Sequence, residues 1–456
     1  MLPEILTAVP GPLSRSYADK LARFEARTVT WMSEDFPIFW ERAEGTNVWD
    51  VDGNRFLDLT GAFAVASLGH SAPVLREALL KQARSLLHVM GDVHPASGKA
   101  DLCEALSAIT FERWGVGTGK TFLTNSGSEA VEAALKTALL STGKPGVISF
   151  TGGYHGLGYG ALEAGGQSYF RDPFLSQLGR FAVTVPYPTC SRCSPDSGHS
   201  EKFAKCPEGC LIRTEEAIRS HIREREVGCI LVEPIQGRGG EIVPPREFLP
   251  MLRRICDEEK ILLILDEIYT GFHRTGAFFA CDHSQVVPDL ICLGKALTGG
   301  FPLAACVGRA EVMDAWPSSK GEALHTSTTL GNPLGCAMAL ASIKEHLRPE
   351  TRDMAHQAGL SFRKALSNLN SQRIGKIRGL GLMLGMELVT AEGKPDGTLV
   401  GQIMLQGLKD GLILLGGGPA GNVLSFSPPF TLNEEEISFV AGKLQEYLIS
   451  LPGSIS

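Results

Sequence analysis

From Thr121 to about Ala310, short apolar and β-branched runs alternate with helix-like stretches, and this alternation restricts the fold more than any other feature of the chain. Repeated strand–helix units build a mostly parallel sheet, whose strands read as nearly continuous apolar runs. Ligand chemistry in such open sheets gathers beyond the carboxyl ends of the strands. The expected fold class is therefore α/β. At 456 residues the chain exceeds one minimal core, so a large domain with a smaller α+β companion is expected.

The stretch Leu262 to Gly300 carries the densest chemistry. LLILDEIYTGFHRTG begins as a buried strand and ends in Asp266-Glu267, and Asp289 to Leu293 is a second short apolar run that presents Gly294-Lys295-Ala296 with Gly299-Gly300 beyond. Lysine between glycine and alanine has small neighbours and room to be approached. An acid at one strand end and a lysine at the next suit pyridoxal 5′-phosphate, which needs an amine to bond its aldehyde and a carboxylate to keep its ring nitrogen protonated. By themselves the two residues also fit a helix cap and a surface lysine.

The wording around them narrows the choice. DEIYTGFHRTG followed by GKALTGGFPLAACVGRAEVMDA resembles the class III, fold type I aminotransferases, the group of the 4-aminobutyrate and ornithine enzymes, and the likeness extends over nearly the whole chain. It implies a large pyridoxal-phosphate domain over residues 61–334. An N-terminal arm and hairpin over 1–60 would pack with a small C-terminal domain over 335–456.

Several segments take their expected roles from that resemblance. In TFLTNSGSEAVEAALKTALL, Ser126 and Glu129 have capping-box spacing, which starts a helix at Gly127 and leaves free backbone N–H groups, an anion site. NSGSEA resembles the family's phosphate loop, so Gly127 and Ser128 should hold the cofactor phosphate. GVISF is the next strand, and Tyr154 just past it should stack on the pyridine ring, with Ile268 on the opposite face. CILVEPIQGRGG ends a further strand at Glu233, which should support the active-site network, while Gln236 should lie near the cofactor's phenolic oxygen. Thr328 matches the threonine that reaches the phosphate of the neighbouring subunit's cofactor, which implies a homodimer with shared active sites. The loop GAFAVASLGHSAP, before a helix from Pro73, lies near the substrate mouth in similar enzymes.

The chain also departs from the family. Where enzymes acting on 4-aminobutyrate commonly carry arginine, glutamate and arginine, it has Leu157, Arg238 and Ser425. Arginine can grip a carboxylate through two parallel hydrogen bonds, which leucine and serine cannot. Arg238 is therefore the expected anchor for a substrate carboxylate, and specificity for 4-aminobutyrate or ornithine itself is not implied.

Outside these segments, Val48 to Leu59 reads as a hairpin turning at Asp52-Gly53. IRGLGLMLGMEL reads as one glycine-opened strand, and the last helix should be capped by Thr431 or Asn433. Residues 186–210 form a proline- and serine-rich surface insertion holding Cys190, Cys193, Cys206 and Cys210. Four thiols there could hold zinc, but the second pair is spaced one residue too wide, and no metal is expected. The remaining cysteines, part of an odd total of 11, read as reduced thiols.

A net charge of −7 offers no field for nucleic acid or an anionic membrane. With neither a signal-like leader nor a membrane-length apolar run, a cytoplasmic enzyme is expected. The resemblance implies transfer of an amino group from an amine or amino acid, ω-amino acids among them, to an oxo acid such as pyruvate or 2-oxoglutarate. Lys295 would bond the cofactor and then move the proton, and Asp266 would hold the ring nitrogen protonated. An aminomutase or amino-acid racemase on the same scaffold is the alternative. A cofactor-sensing regulator would need a basic DNA-binding segment, for which neither terminus has room or charge.

Overall fold

The computed structural model describes residues 1–189 and 209–453. The chain divides into two compact units, one formed by residues 73–349 and the other by 1–72 together with 350–456.

The larger unit is built on a seven-stranded sheet. Its strands are β1 (Gly119–Thr124), β2 (Gly146–Phe150), β3 (Ala182–Val185), β4 (Val227–Val232), β5 (Leu262–Asp266), β6 (Leu290–Leu293) and β7 (Ala304–Arg309), in the spatial order β1-β7-β6-β5-β4-β2-β3. Every pair from β6 through β3 is parallel, whereas β7 runs antiparallel to both β6 and β1. The sheet is thus α/β and mostly parallel, as the alternation predicts. The reversed direction of β7 has no counterpart in the pattern, because an apolar run reads the same in either direction.

Helices cover both faces, which is why β4, β5 and β6 are apolar at nearly every position. On one face lies α1 (Gly127–Thr142), whose small buried side chains Ala130, Ala133, Ala134 and Ala138 let it approach Val147, Leu231, Ile264 and Leu290 closely. On the other, α2 (Cys210–Glu224) and α3 (Phe248–Glu259) join a larger cluster with Ile148, Ile230, Leu263 and Leu265. Truncating a fully buried member such as Leu263 to alanine costs about 2–5 kcal/mol. The helix α1 begins where Ser126 Oγ accepts the Glu129 N–H at 3.3 Å and ends at Gly143, whose φ of +67° is left-handed. Only half of the expected capping box forms, because the Glu129 carboxylate accepts from Asn125 N at 2.9 Å instead of reaching back to Ser126.

The other unit holds two four-stranded sheets. In the first, Trp40–Glu44, Asn47–Asp50 and Arg55–Asp58 form an antiparallel meander, joined in parallel by Leu412–Ile413. In the second, Ile374–Leu380, Met383–Leu388, Val423–Phe426 and Leu415–Gly417 are antiparallel. The segment read as one strand is therefore a hairpin, turned where Gly381 takes a φ of +57°. The final helix, Glu434–Ser450, is capped by Asn433 with Glu436 completing the box.

Among the described residues no helix is long and apolar enough to cross a membrane. Cys190, Cys193 and Cys206 lie outside the described residues, while Cys210 is buried in the first turn of α2. Among the described residues no cluster of histidine, cysteine and carboxylate side chains could hold a metal ion.

Candidate active site

Two adjacent parallel strands, β5 and β6, bring the central pair to one end of the sheet. Asp266 is the last residue of β5 and is 4 % exposed. Its Oδ2 lies 2.8 Å from His155 Nδ1, and its Oδ1 accepts the Ile268 N–H at 3.2 Å. Burial opposes charge on His155, but the hydrogen bond to Asp266 and the charges of Asp266 and Glu233 prevail and raise its pKa above the usual 6.5. Strand alternation turns the next side chain away. Glu267 accepts from Thr270 Oγ1, Ala280 N and Cys281 N, and burial lifts its pKa to about 7 despite those donors.

Lys295 follows β6 in a left-handed backbone conformation with φ +48°, and its side chain is partly buried. Its Nζ lies 3.9 Å from the centroid of the Tyr269 ring. Burial lowers its pKa from 10.5 to about 8, with Arg238 acting in the same direction and Asp266, Glu233 and Glu241 opposing. Near pH 8 about half of this lysine is a free amine, the form that can attack a carbonyl or accept a proton.

The start of α1 lies beside this end of the sheet. A Cβ at Gly127 would sit 2.7 Å from Ile268 Cδ1, so only glycine fits without movement. The amides of Gly127 and Ser128 have no intrahelical acceptor. Ser128 Oγ accepts the Gly158 N–H at 2.9 Å, which joins this loop to the turn after β2. Asn125, just before the helix, bonds Ser327 Oγ at 3.0 Å and Thr329 Oγ1 at 2.8 Å, and Thr328 between them is exposed.

Beyond β4, Glu233 is buried and accepts from Tyr154 N at 2.9 Å and Gly237 N at 3.1 Å. Burial raises its pKa, helped by Asp266 and opposed by His155 and those two amides. Gln236 is also buried and donates to the Thr151 carbonyl at 2.9 Å, so its amide braces the turn over 151–153. Arg238 is exposed, with its guanidinium 4.8 Å from the Tyr154 ring centroid and 5.1 Å from that of Phe170. Among the described residues it has no ion pair.

The sequence model of the family described as "Aminotransferase class-III" matches residues 29–448. The chain belongs to the class III aminotransferases. A 4-aminobutyrate aminotransferase from Mycobacterium leprae is 35% identical over 435 residues, covering 95% of each chain. A 5-aminovalerate aminotransferase from Pseudomonas aeruginosa is 33% identical and covers 93% of this chain and 96% of its own. Among solved structures, the ornithine aminotransferase from Toxoplasma gondii superposes with a TM-score of 0.80 at 26% identity, covering 96% of this chain and 95% of that one. An amine transaminase from an uncultivated Pseudomonas species, in its PLP-bound form, gives a TM-score of 0.80 at 28% identity, covering 93% of this chain and 98% of that one.

Fold type I architecture and aminotransferase activity follow for this enzyme. Of the residues singled out in the sequence, Asp266, Lys295, Ile268, Gly127, Ser128, Tyr154, Glu233 and Arg238 are linked by the contacts above into one neighbourhood of the aminotransferase. Gln236 donates one hydrogen bond to the turn over 151–153, and Thr328 faces solvent. Three residues the sequence reading passed over join the group: His155 on Asp266, Tyr269 beneath Lys295, and Glu241, which accepts the Tyr269 hydroxyl at 3.4 Å. The position of His155 just past the end of β2 was the available signal. Nothing local in the sequence points to the other two.

Proposed function

We propose that this aminotransferase works through pyridoxal 5′-phosphate joined to Lys295, as a homodimer in the cytoplasm, and that its amino donors carry a carboxylate. The observation that carries this reading is the pairing of Asp266 and Lys295 at the ends of neighbouring parallel strands, the lysine with its pKa lowered to about 8 by burial.

The residues fit such a cofactor. The α1 N-terminus offers the Gly127 and Ser128 amides and the positive end of a helix dipole to a phosphate. The absence of a side chain at Gly127 keeps space open against Ile268. The carboxylate of Asp266 has both oxygens engaged by donors, which fixes its orientation. When bound, the cofactor supplies an aldehyde that receives the amino group and a protonated ring that withdraws electrons from the substrate carbon.

The protein's own groups do the rest. Asp266, braced by His155, would hold the proton on the ring nitrogen. Tyr154 and Ile268 would hold the ring between them and Gln236 would meet the phenolic oxygen, while Glu233 supports the loop that carries Tyr154 by accepting its N–H. With the cofactor bound, Lys295 would take the proton from the substrate carbon and return it at the cofactor's C4′, serving in turn as base and acid. The exposed Thr328 would reach the phosphate bound by the other protomer. Leaving Cys210 aside, seven cysteines among the described residues are free thiols, six of them buried, which accords with a reducing compartment.

Arg238 grips the donor carboxylate. Its guanidinium rests on two aromatic rings without an ion pair among the described residues, which leaves its hydrogen-bonding edge open. Relatives named for 4-aminobutyrate and 5-aminovalerate support a donor whose amine and carboxylate are well separated. Leu157 and Ser425 argue against those two acids as such. The test is a panel of amines and amino acids with pyruvate or 2-oxoglutarate, followed by cofactor absorbance. One equivalent of oxo product per donor supports the reading. Racemisation or amino migration without an acceptor overturns it.

A further inference from the structure

We infer that Tyr269 is the positioning residue for the freed amino group of Lys295, its ring face receiving the ammonium that forms when Lys295 takes up a proton. This rests on the proposal that Lys295 is the proton carrier.

The separation of 3.9 Å between Lys295 Nζ and the Tyr269 ring centroid is well inside the range at which an ammonium is drawn to an aromatic face. The ring is held in place from two sides. Its Cδ1 and Cε1 would lie 2.8 and 2.9 Å from a Cβ at Gly237, so the ring rests directly on the glycine backbone of the turn after β4. Its hydroxyl donates to Glu241 Oε1 at 3.4 Å. Glu241 and Lys295 both have left-handed backbones, with φ of +55° and +48°.

A lysine released from a covalent bond has a long flexible stem and loses its direction unless something receives it. Asp266, Glu233 and Glu241 favour the charged amine, Arg238 opposes it, and His155 offsets part of the Asp266 charge. The ring adds a fixed, uncharged surface that favours the ammonium at one place, ready to give its proton back.

The test uses the full-length protein freed of cofactor. Acetylation of Lys295 by acetic anhydride is followed against pH through the mass of its peptide, and borohydride trapping of added pyridoxal 5′-phosphate at Lys295 is run in parallel. Tyr269→Phe keeps the ring and should keep the wild-type midpoint. Tyr269→Leu keeps the site apolar but removes the ring face, and should lower the midpoint by about half a unit to one unit. Tyr269→Met replaces it if the leucine variant does not fold. If pyridoxal phosphate is trapped at Lys295 but the ring-deleted variant shows an unchanged or raised midpoint, or the phenylalanine variant shifts as far, the inference about Tyr269 is overturned. If wild type traps nothing at Lys295, the role of the lysine itself fails and the Tyr269 inference falls with it.

Discussion

His155 Nδ1 and Asp266 Oδ2 are 2.8 Å apart, both side chains buried, and they join the turn after β2 to the end of β5 across the intervening strand β4. The second carboxylate oxygen of Asp266 is taken by the Ile268 amide, so the acid cannot rotate. A buried carboxylate fixed in this way has one direction in which to present its charge.

That pair should appear in the pH dependence of stability. The pKa of His155 is raised in the fold above its ordinary 6.5, so the stability it contributes is complete below that value and is lost as pH rises through the folded pKa. The difference in urea midpoint between wild type and His155→Phe should be widest on the acid side of pH 6.5 and narrow above it. A difference that grows with rising pH contradicts this account of the pair.

Arg238→Ala should lower kcat/KM for carboxylate-bearing donors by about tenfold to a hundredfold, the loss of a charged hydrogen-bonding partner, while plain amines change little. Arg238→Lys should restore only part of the loss, because an ammonium cannot form the paired hydrogen bonds of a guanidinium. Equal losses for both donor classes remove Arg238 from the substrate.

Gly127→Ala places a methyl group against Ile268 Cδ1, and crowding of this kind costs about 1–3 kcal/mol. Titration with pyridoxal phosphate should show weaker binding by about tenfold or more. Adding Ile268→Val deletes the Cδ1 atom and should recover part of the affinity. No recovery in the double variant means that the contact is not what excludes a side chain at 127.

The parts of the fold visible in the sequence are those whose cause is local. β4, β5 and β6 are buried on both faces, so their composition alone marks them, and an acid or lysine at a strand end breaks the apolar run where the site lies. Direction and pairing are not local properties. The antiparallel course of β7 and the hairpin between Ile374 and Leu388 depend on which strands meet, and glycines at 379 and 381 fit a flexible strand as well as a turn. The half-formed cap of α1 has the same origin, because Glu129 found a nearer donor in Asn125. In the candidate site, the strand-end positions of Asp266 and Lys295 could be read from the sequence. His155, Tyr269 and Glu241 matter through partners brought to them from other strands and turns, and no spacing along the chain encodes that.

The central claim is a covalent one, and borohydride reduction of the protein loaded with pyridoxal 5′-phosphate tests it most directly. Peptide mapping of the reduced protein should place the pyridoxyl group on Lys295, with absorbance of the bound cofactor absent from Lys295→Ala. A pyridoxyl group on another lysine, or none at all, contradicts the account.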